Sequence, residues 1–252
     1  MSGTLAIARI ALVRQFAGPV GWGLLAGLAA LHAWWFLAAV DGFLAVADEL
    51  AARPGSPGVG DLVVAPFLAG VASSLLVAAP LVGMRAVAGE VQARRLPWLL
   101  ATAGSEAAIV VGQWLAATAM LALVVAIAVG MTLTLAAGTT LDLARIAVSA
   151  LGLALLAAFL AALAVLASAW VRQAPAAALL ALALGVLLWI ADAPARARGE
   201  TDGLIQALTI AGHLQPFLRG VIDTRALAYF VLGTMALLVL AGSRVAAIRR
   251  EG

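Results

Sequence analysis

Runs of leucine, alanine and valine fill most of this chain, and short polar stretches separate them. Six runs, at 19–40, 62–84, 109–136, 144–170, 176–191 and 227–243, come near the length a membrane crossing needs. A helix requires about 20 apolar residues to cross a hydrocarbon core of about 30 Å. The runs are solidly apolar instead of alternating, which argues against a β-barrel. The pattern predicts an all-α membrane protein with six transmembrane helices, each satisfying its own backbone polar groups. The intervening segments leave no room for a separate soluble domain, so residues 1–252 read as a single transmembrane domain. The fifth run is short and the fourth carries Arg145 near its start, so those two have the least defined boundaries.

The polar segments have patterns of their own. At the N-terminus Leu5, Ala8, Leu12 and Phe16 fall at helical spacing, with Arg9 and Arg14 off that stripe. Residues 4–17 therefore read as an interfacial helix, or equally as an extension of the first span with snorkelling arginines. Pro19 then opens the first span. No small-residue cleavage site follows a short apolar core, so the first span is expected to stay in the membrane. The longest polar stretch on one side is 85–108, with Arg85, Glu90, Arg94, Arg95 and Glu106. Pro80 is expected to kink the end of span two. The segment 85–95 is helix-compatible and places Arg94 or Arg95 within a turn of Glu90 or Val91; Pro97 then breaks it. Trp98, Leu99 and Leu100 follow as an apolar cluster, and Ser105 is a fitting N-cap for the third span. A plain basic anchor needs only the arginines, whereas apolar residues in a charged loop point to an amphipathic elbow with a docking surface.

Composition narrows the function. The chain is 65% hydrophobic and 11% charged, with a mean hydropathy of +1.13, well above the apolar fraction of about half in soluble domains. Cysteine is absent, which excludes thiolate chemistry, and all 15 basic residues are arginine. Without lysine there is no P-loop lysine or Schiff base. The N-terminus, the loop after span two, the loop after span four and the C-terminus hold nine arginines against three acids; the other segments hold six against nine. The positive-inside rule puts the first set, and both termini, in the cytoplasm. Residues 41–61, a turn at 138–142 and residues 192–226 are then expected outside.

In the last of these, residues 204–229 suit two short helices broken at Gly212 and Pro216, dipping into the outer leaflet. Arg219 and Asp223 are four apart and are expected to pair on one helical face. His213 with Asp223 suggests acid–base chemistry or a metal ligand, but His32 and His213 are the only histidines, too few for a ligand cluster or a bis-histidine haem. Gly23 and Gly27 form a small-xxx-small pair in span one, a spacing that arises readily in so Gly- and Ala-rich a chain. The core of every span reads as free of ionisable residues, and no span is expected to hold a paired carboxylate, a Ser–His pair or a metal cluster. That leaves transport driven from outside the chain, or no transport.

Three stretches resemble the permease subunits of ABC-2 type transporters, in particular the gliding-motility-associated permeases. Residues 12–36, LVRQFAGPVGWGLLAGLAALHAWWF, are similar to that family's entry helix, proline and first span. Residues 80–113, PLVGMRAVAGEVQARRLPWLLATAGSEAAIVVGQ, resemble its loop in which an acid precedes an LL-T/A turn. Residues 213–230, HLQPFLRGVIDTRALAYF, are the most specific match. The resemblance implies a dimer with a second permease copy or paralogue, docked through the loop after span two on a cytoplasmic ABC ATPase that carries the ATP and magnesium. It places Arg85, Glu90, Arg94, Arg95, Trp98 and Leu99 in the coupling region, and His213, Pro216, Phe217, Arg219, Gly220 and Asp223 in the outward segment, where Arg219, Gly220 and Asp223 match RGxxD. Leu96-Pro97 and Gln113 depart from the family pattern.

The expectation is therefore a non-enzymatic permease subunit of an ATP-driven exporter in a bacterial inner membrane. It would have no cofactor of its own and no nucleic-acid partner. The alternative is a non-transporting scaffold that links an ATPase to an extracytoplasmic accessory protein.

Overall fold

The computed structural model describes residues 3–52, 56–93, 95, 105–171, 173–191 and 208–251. Among them the chain is all-helical, without a strand. The helices are α1 (Gly3–Ala17), α2 (Pro19–Leu44), α3 (Ala47–Ala51), α4 (Ala65–Gly83), α5 (Ala88–Gln92) and α6 (Glu106–Leu133). After them come α7 (Leu143–Trp170), α8 (Ala174–Ile190), α9 (Ile210–Leu218) and α10 (Thr224–Glu251). A π-helical turn, Gly60–Val64, leads into α4, and a 3-10 turn, Thr134–Ala137, ends α6.

Five stretches are long and apolar enough to cross a membrane: Pro19–Leu44, Gly60–Gln92, Glu106–Ala137, Leu143–Trp170 and Thr224–Arg250. They match five of the six expected runs, and the expected fifth run is the shorter apolar helix α8, of 17 residues. The fold is that of an all-α protein compatible with integral membrane residence.

Helix α7 is the hub, in contact with α4, α6, α8, α9 and α10. Between Phe159 and Ala169 every one of its residues is buried, as expected of a helix that is apolar all round. Helix α2 is peripheral. It buries only Gly21, Leu25, His32 and Phe36, and turns Trp22, Trp34 and Leu37 outward. Helix α10 likewise exposes Leu232, Met235 and Val239. Gly23 and Gly27 have open space beside them, so their spacing brings no neighbouring helix close.

The chain breaks at Gly18, whose φ of −113° and ψ of 163° are extended, and Pro19 restarts it at the head of α2. Proline fits there because its missing N–H is an orphan in a first turn anyway. Helix α1 is thus a separate element and not an extension of span one. Its buried face also differs from the expected stripe: Ile7 and Ala11 are buried, whereas Leu5 is 54% exposed. The cause lies on α6, where Gly112 leaves a notch. A Cβ on Gly112 would stand 2.8 Å from Ile7 Cγ2 and 2.9 Å from the Thr4 carbonyl oxygen. Close backbone approach outweighs side-chain length in choosing the face.

Candidate functional site: the polar junctions at the two ends of the bundle

At one end, α4 stops at Gly83 and the chain turns through 84–87 before α5. This turn leaves backbone groups unpaired inside the protein, where each is costly. Ser168, near the end of α7, meets them. Its hydroxyl donates to the Met84 carbonyl at 2.9 Å and accepts from the Val87 and Ala88 N–H groups, each at 3.0 Å. One donor and two lone pairs are the full capacity of a hydroxyl. Around it, Val87, Val110, Val165, Ala169, Ala241 and Val245 form a small apolar cluster, so this junction is packed as well as bonded.

Glu90 sits on α5 with its side chain only 6% exposed. Its Oε1 accepts from Arg14 Nη1 at 2.5 Å and its Oε2 from Arg95 Nε at 3.1 Å. A buried carboxylate is tolerated only with such partners. The expected proximity of Arg95 to Glu90 holds, but Glu90 is turned inward, so it is not an exposed docking residue. It fastens α5 to α1, across 76 positions of sequence. Nearby, Arg249 of α10 donates to Glu106 of α6 at 2.7 Å. The Ser105 cap forms as expected, with Oγ accepting from Ala108 N–H at 3.2 Å. Arg85 is exposed. Arg94, Trp98 and Leu99, with the Leu96-Pro97 break, lie outside the described residues.

At the opposite end, α9 is one helix that runs through Gly212 and Pro216, where two were expected. Proline removes a single donor, the one that would reach the Gly212 carbonyl, and Gly212 is exposed. The helix is keyed into α7 by three residues on one face. A Cβ on Gly152 would collide with Phe217, which is fully buried. Ser149 Oγ donates to the Phe217 carbonyl at 3.1 Å, and Arg145 Nε lies 3.5 Å from the Leu218 carbonyl. These are the carbonyls that a helix C-terminus leaves over. Gly220 then turns the chain at φ +82°, with Arg145 Cγ 2.9 Å from where a Cβ would stand.

Arg145 also pairs with Asp61 on the π-helical turn at 2.6 Å. Sequence marked Arg145 only as a charge near the start of the fourth apolar run, and did not single out Asp61. The only signal was an arginine inside an apolar run, which predicts a partner. Arg219 and Asp223 do not pair. Asp223 Oδ1 accepts from the Arg225 N–H at 3.0 Å, capping α10. His213 and Asp223 are not brought together either. His213 Nδ1 donates to the Thr209 carbonyl at 2.8 Å and its ring stacks on Tyr229 at 4.1 Å, while Tyr229 donates to the Leu208 carbonyl at 2.7 Å.

His32 overturns two expectations, since it is ionisable, lies mid-span and forms a Ser–His pair. It is fully buried on α2, with Nε2 2.8 Å from Ser74 Oγ on α4. Ser74 already donates to the Val71 carbonyl at 2.7 Å, so it accepts the His32 N–H. The hydroxyl proton faces away from the imidazole, and no acid orients the unpartnered Nδ1. This pair pins α2 to α4 and lacks the geometry of a nucleophile with its base.

The geometry at both ends joins helices and offers no reacting constellation among the described residues. No protein-family model matches the chain, and no curated protein matches it.

Proposed function

We propose that the chain is the membrane-spanning permease subunit of an ABC-2 type ATP-driven exporter, coupled to a separate cytoplasmic ATPase. In this reading α8 is the fifth of six spans, its 17 residues reaching about 26 Å at 1.5 Å each, at the lower limit of about 17 residues for a crossing, and the Glu90 end faces the cytoplasm.

The observation that carries the proposal is the Arg14–Glu90–Arg95 junction. A soluble partner pressing on the loop after span two would push a segment already locked to α1, and through Gly112 to α6. Ser168 ties the same segment to the hub helix α7. Force applied at one loop therefore reaches three helices without any chemistry on the chain. The other support is the resemblance of residues 12–36, 80–113 and 213–230 to that family.

The test is co-expression with each ABC ATPase encoded in the same genome, purification of any complex and measurement of ATP hydrolysis in lipid. We expect a stable complex whose ATPase rate depends on the permease. Glu90→Gln should lower that stimulation about tenfold while the complex survives, an energy on the scale of one charge-assisted hydrogen bond. A chain that recruits no ATPase and leaves its hydrolysis unchanged would overturn the reading.

A further inference from the structure

A groove of about 580 Å³ opens at the Arg145 end, between the start of α4 and the last turn of α9. The wall that α4 supplies is apolar, made by Ala65, Pro66 and Ala69. From α7 and the end of α9 come Arg145, Gln215 and Arg219, with Leu218 among them. Gln215 on α9 and the C-cap residue Arg219, four positions on and still in helical conformation, are both exposed and lie on one face.

The charges of the described residues in this groove do not balance. Asp61 lines it too and takes one N–H of Arg145. Arg145 spends another on the Leu218 carbonyl, so most of its five donors remain available. Arg219 has no ion-pair partner among the described residues. Among the described residues the groove therefore carries two guanidinium groups against one carboxylate, an excess of one positive charge. It also lies at the first turns of α4 and α7, both of which are helices long enough to cross a membrane, the level at which lipid headgroups sit. Cationic groups beside an apolar wall at that depth fit a molecule with an anionic head and an apolar tail. Planar guanidinium groups match phosphate oxygens in geometry as well as charge.

We propose that this groove is a binding site for an anionic phospholipid. Its phosphate is held by Arg219 and the free donors of Arg145, with Gln215 donating from the side and an acyl chain along Pro66 and Ala69. The inference requires only that the chain lie in a membrane. It does not depend on ATPase coupling, because lipid retention is read on the chain alone.

The test uses the full chain in detergent, with retained lipid counted by native mass spectrometry after titration with phosphatidylglycerol, phosphatidylcholine or inorganic phosphate. We expect preferential retention of phosphatidylglycerol over phosphatidylcholine, and little binding of free phosphate. Arg219→Gln should weaken phosphatidylglycerol retention about tenfold, the effect of losing one charge-assisted contact, with helicity and melting temperature unchanged. Arg145→Lys, which keeps the charge near Asp61 but loses the planar fork, should weaken it less. Arg9→Gln, at the other end, should change nothing. Equal retention of the two lipids, or retention unaffected by Arg219→Gln, overturns the site. Binding of inorganic phosphate as tight as that of the lipid overturns the lipid assignment, since the apolar wall would then contribute nothing.

Discussion

Each end of the bundle is closed by a carboxylate bonded to arginine, but the two are built differently. Glu90 is 6% exposed and holds two arginines from two segments, whereas Asp61 is 53% exposed and holds one. The backbone groups nearby follow the same contrast. Ser168 serves three of them at the Glu90 end, while Ser149 serves one at the Arg145 end, where the Phe217 carbonyl also accepts the Gly220 N–H. Solvent screening weakens an exposed ion pair to about 0–1 kcal/mol. A buried carboxylate stripped of its partners costs far more. The Glu90 end is therefore a joint that holds its shape, and the Arg145 end keeps donors free for a ligand.

Substitutions at the two ends should separate in size. Ser168→Ala leaves the Val87 and Ala88 N–H groups buried without acceptors, and should cost about 2–6 kcal/mol of stability at about 1–3 kcal/mol per orphaned group. Thermal unfolding in detergent reads this, and a loss below that for Ser149→Ala would erase the contrast. A double-mutant cycle of Arg14→Gln and Glu90→Gln should show coupling of about 1–2 kcal/mol, reduced from the fully buried case because Arg14 is 40% exposed. Gly220→Ala should cost about 1–2 kcal/mol, because an L-residue is strained at positive φ and its Cβ meets Arg145. The loss should appear as faster proteolysis near α9. Asp61→Asn should change stability by less than about 1 kcal/mol and leave Arg145 more available, so phosphatidylglycerol retention should hold or rise. A large loss of stability from Asp61→Asn would make the two ends alike.

Much of the frame was legible in sequence because it depends on local pattern. Apolar run length marked the five long helices, Ser105 marked the start of α6, Pro19 marked the start of α2, and Gly220 sat in the stretch singled out for RGxxD. Glu90 and Arg95 were visible as neighbours because five positions of sequence separate them. The partners that determine their role were not. Arg14 lies 76 positions from Glu90, Ser168 about 80 from the turn it completes, and Arg145 84 from Asp61. The α1 stripe failed for the same reason: spacing identifies faces, but the notch at Gly112 on another helix selects one. His32 was in plain sight in span one, yet only the placement of α4 brings Ser74 to it.

The sequence by itself determined that the chain is helical, how long its apolar helices are and which polar residues lie between them. Each of these follows from hydrogen bonds made within a few residues and from transfer of side chains to an apolar surrounding. Only the tertiary structure decided which arginine meets which carboxylate, which serine satisfies which turn and which cation is left over. Those pairings depend on helix contacts across long stretches of chain, settled by a missing Cβ or a three-ångström contact that no local pattern encodes.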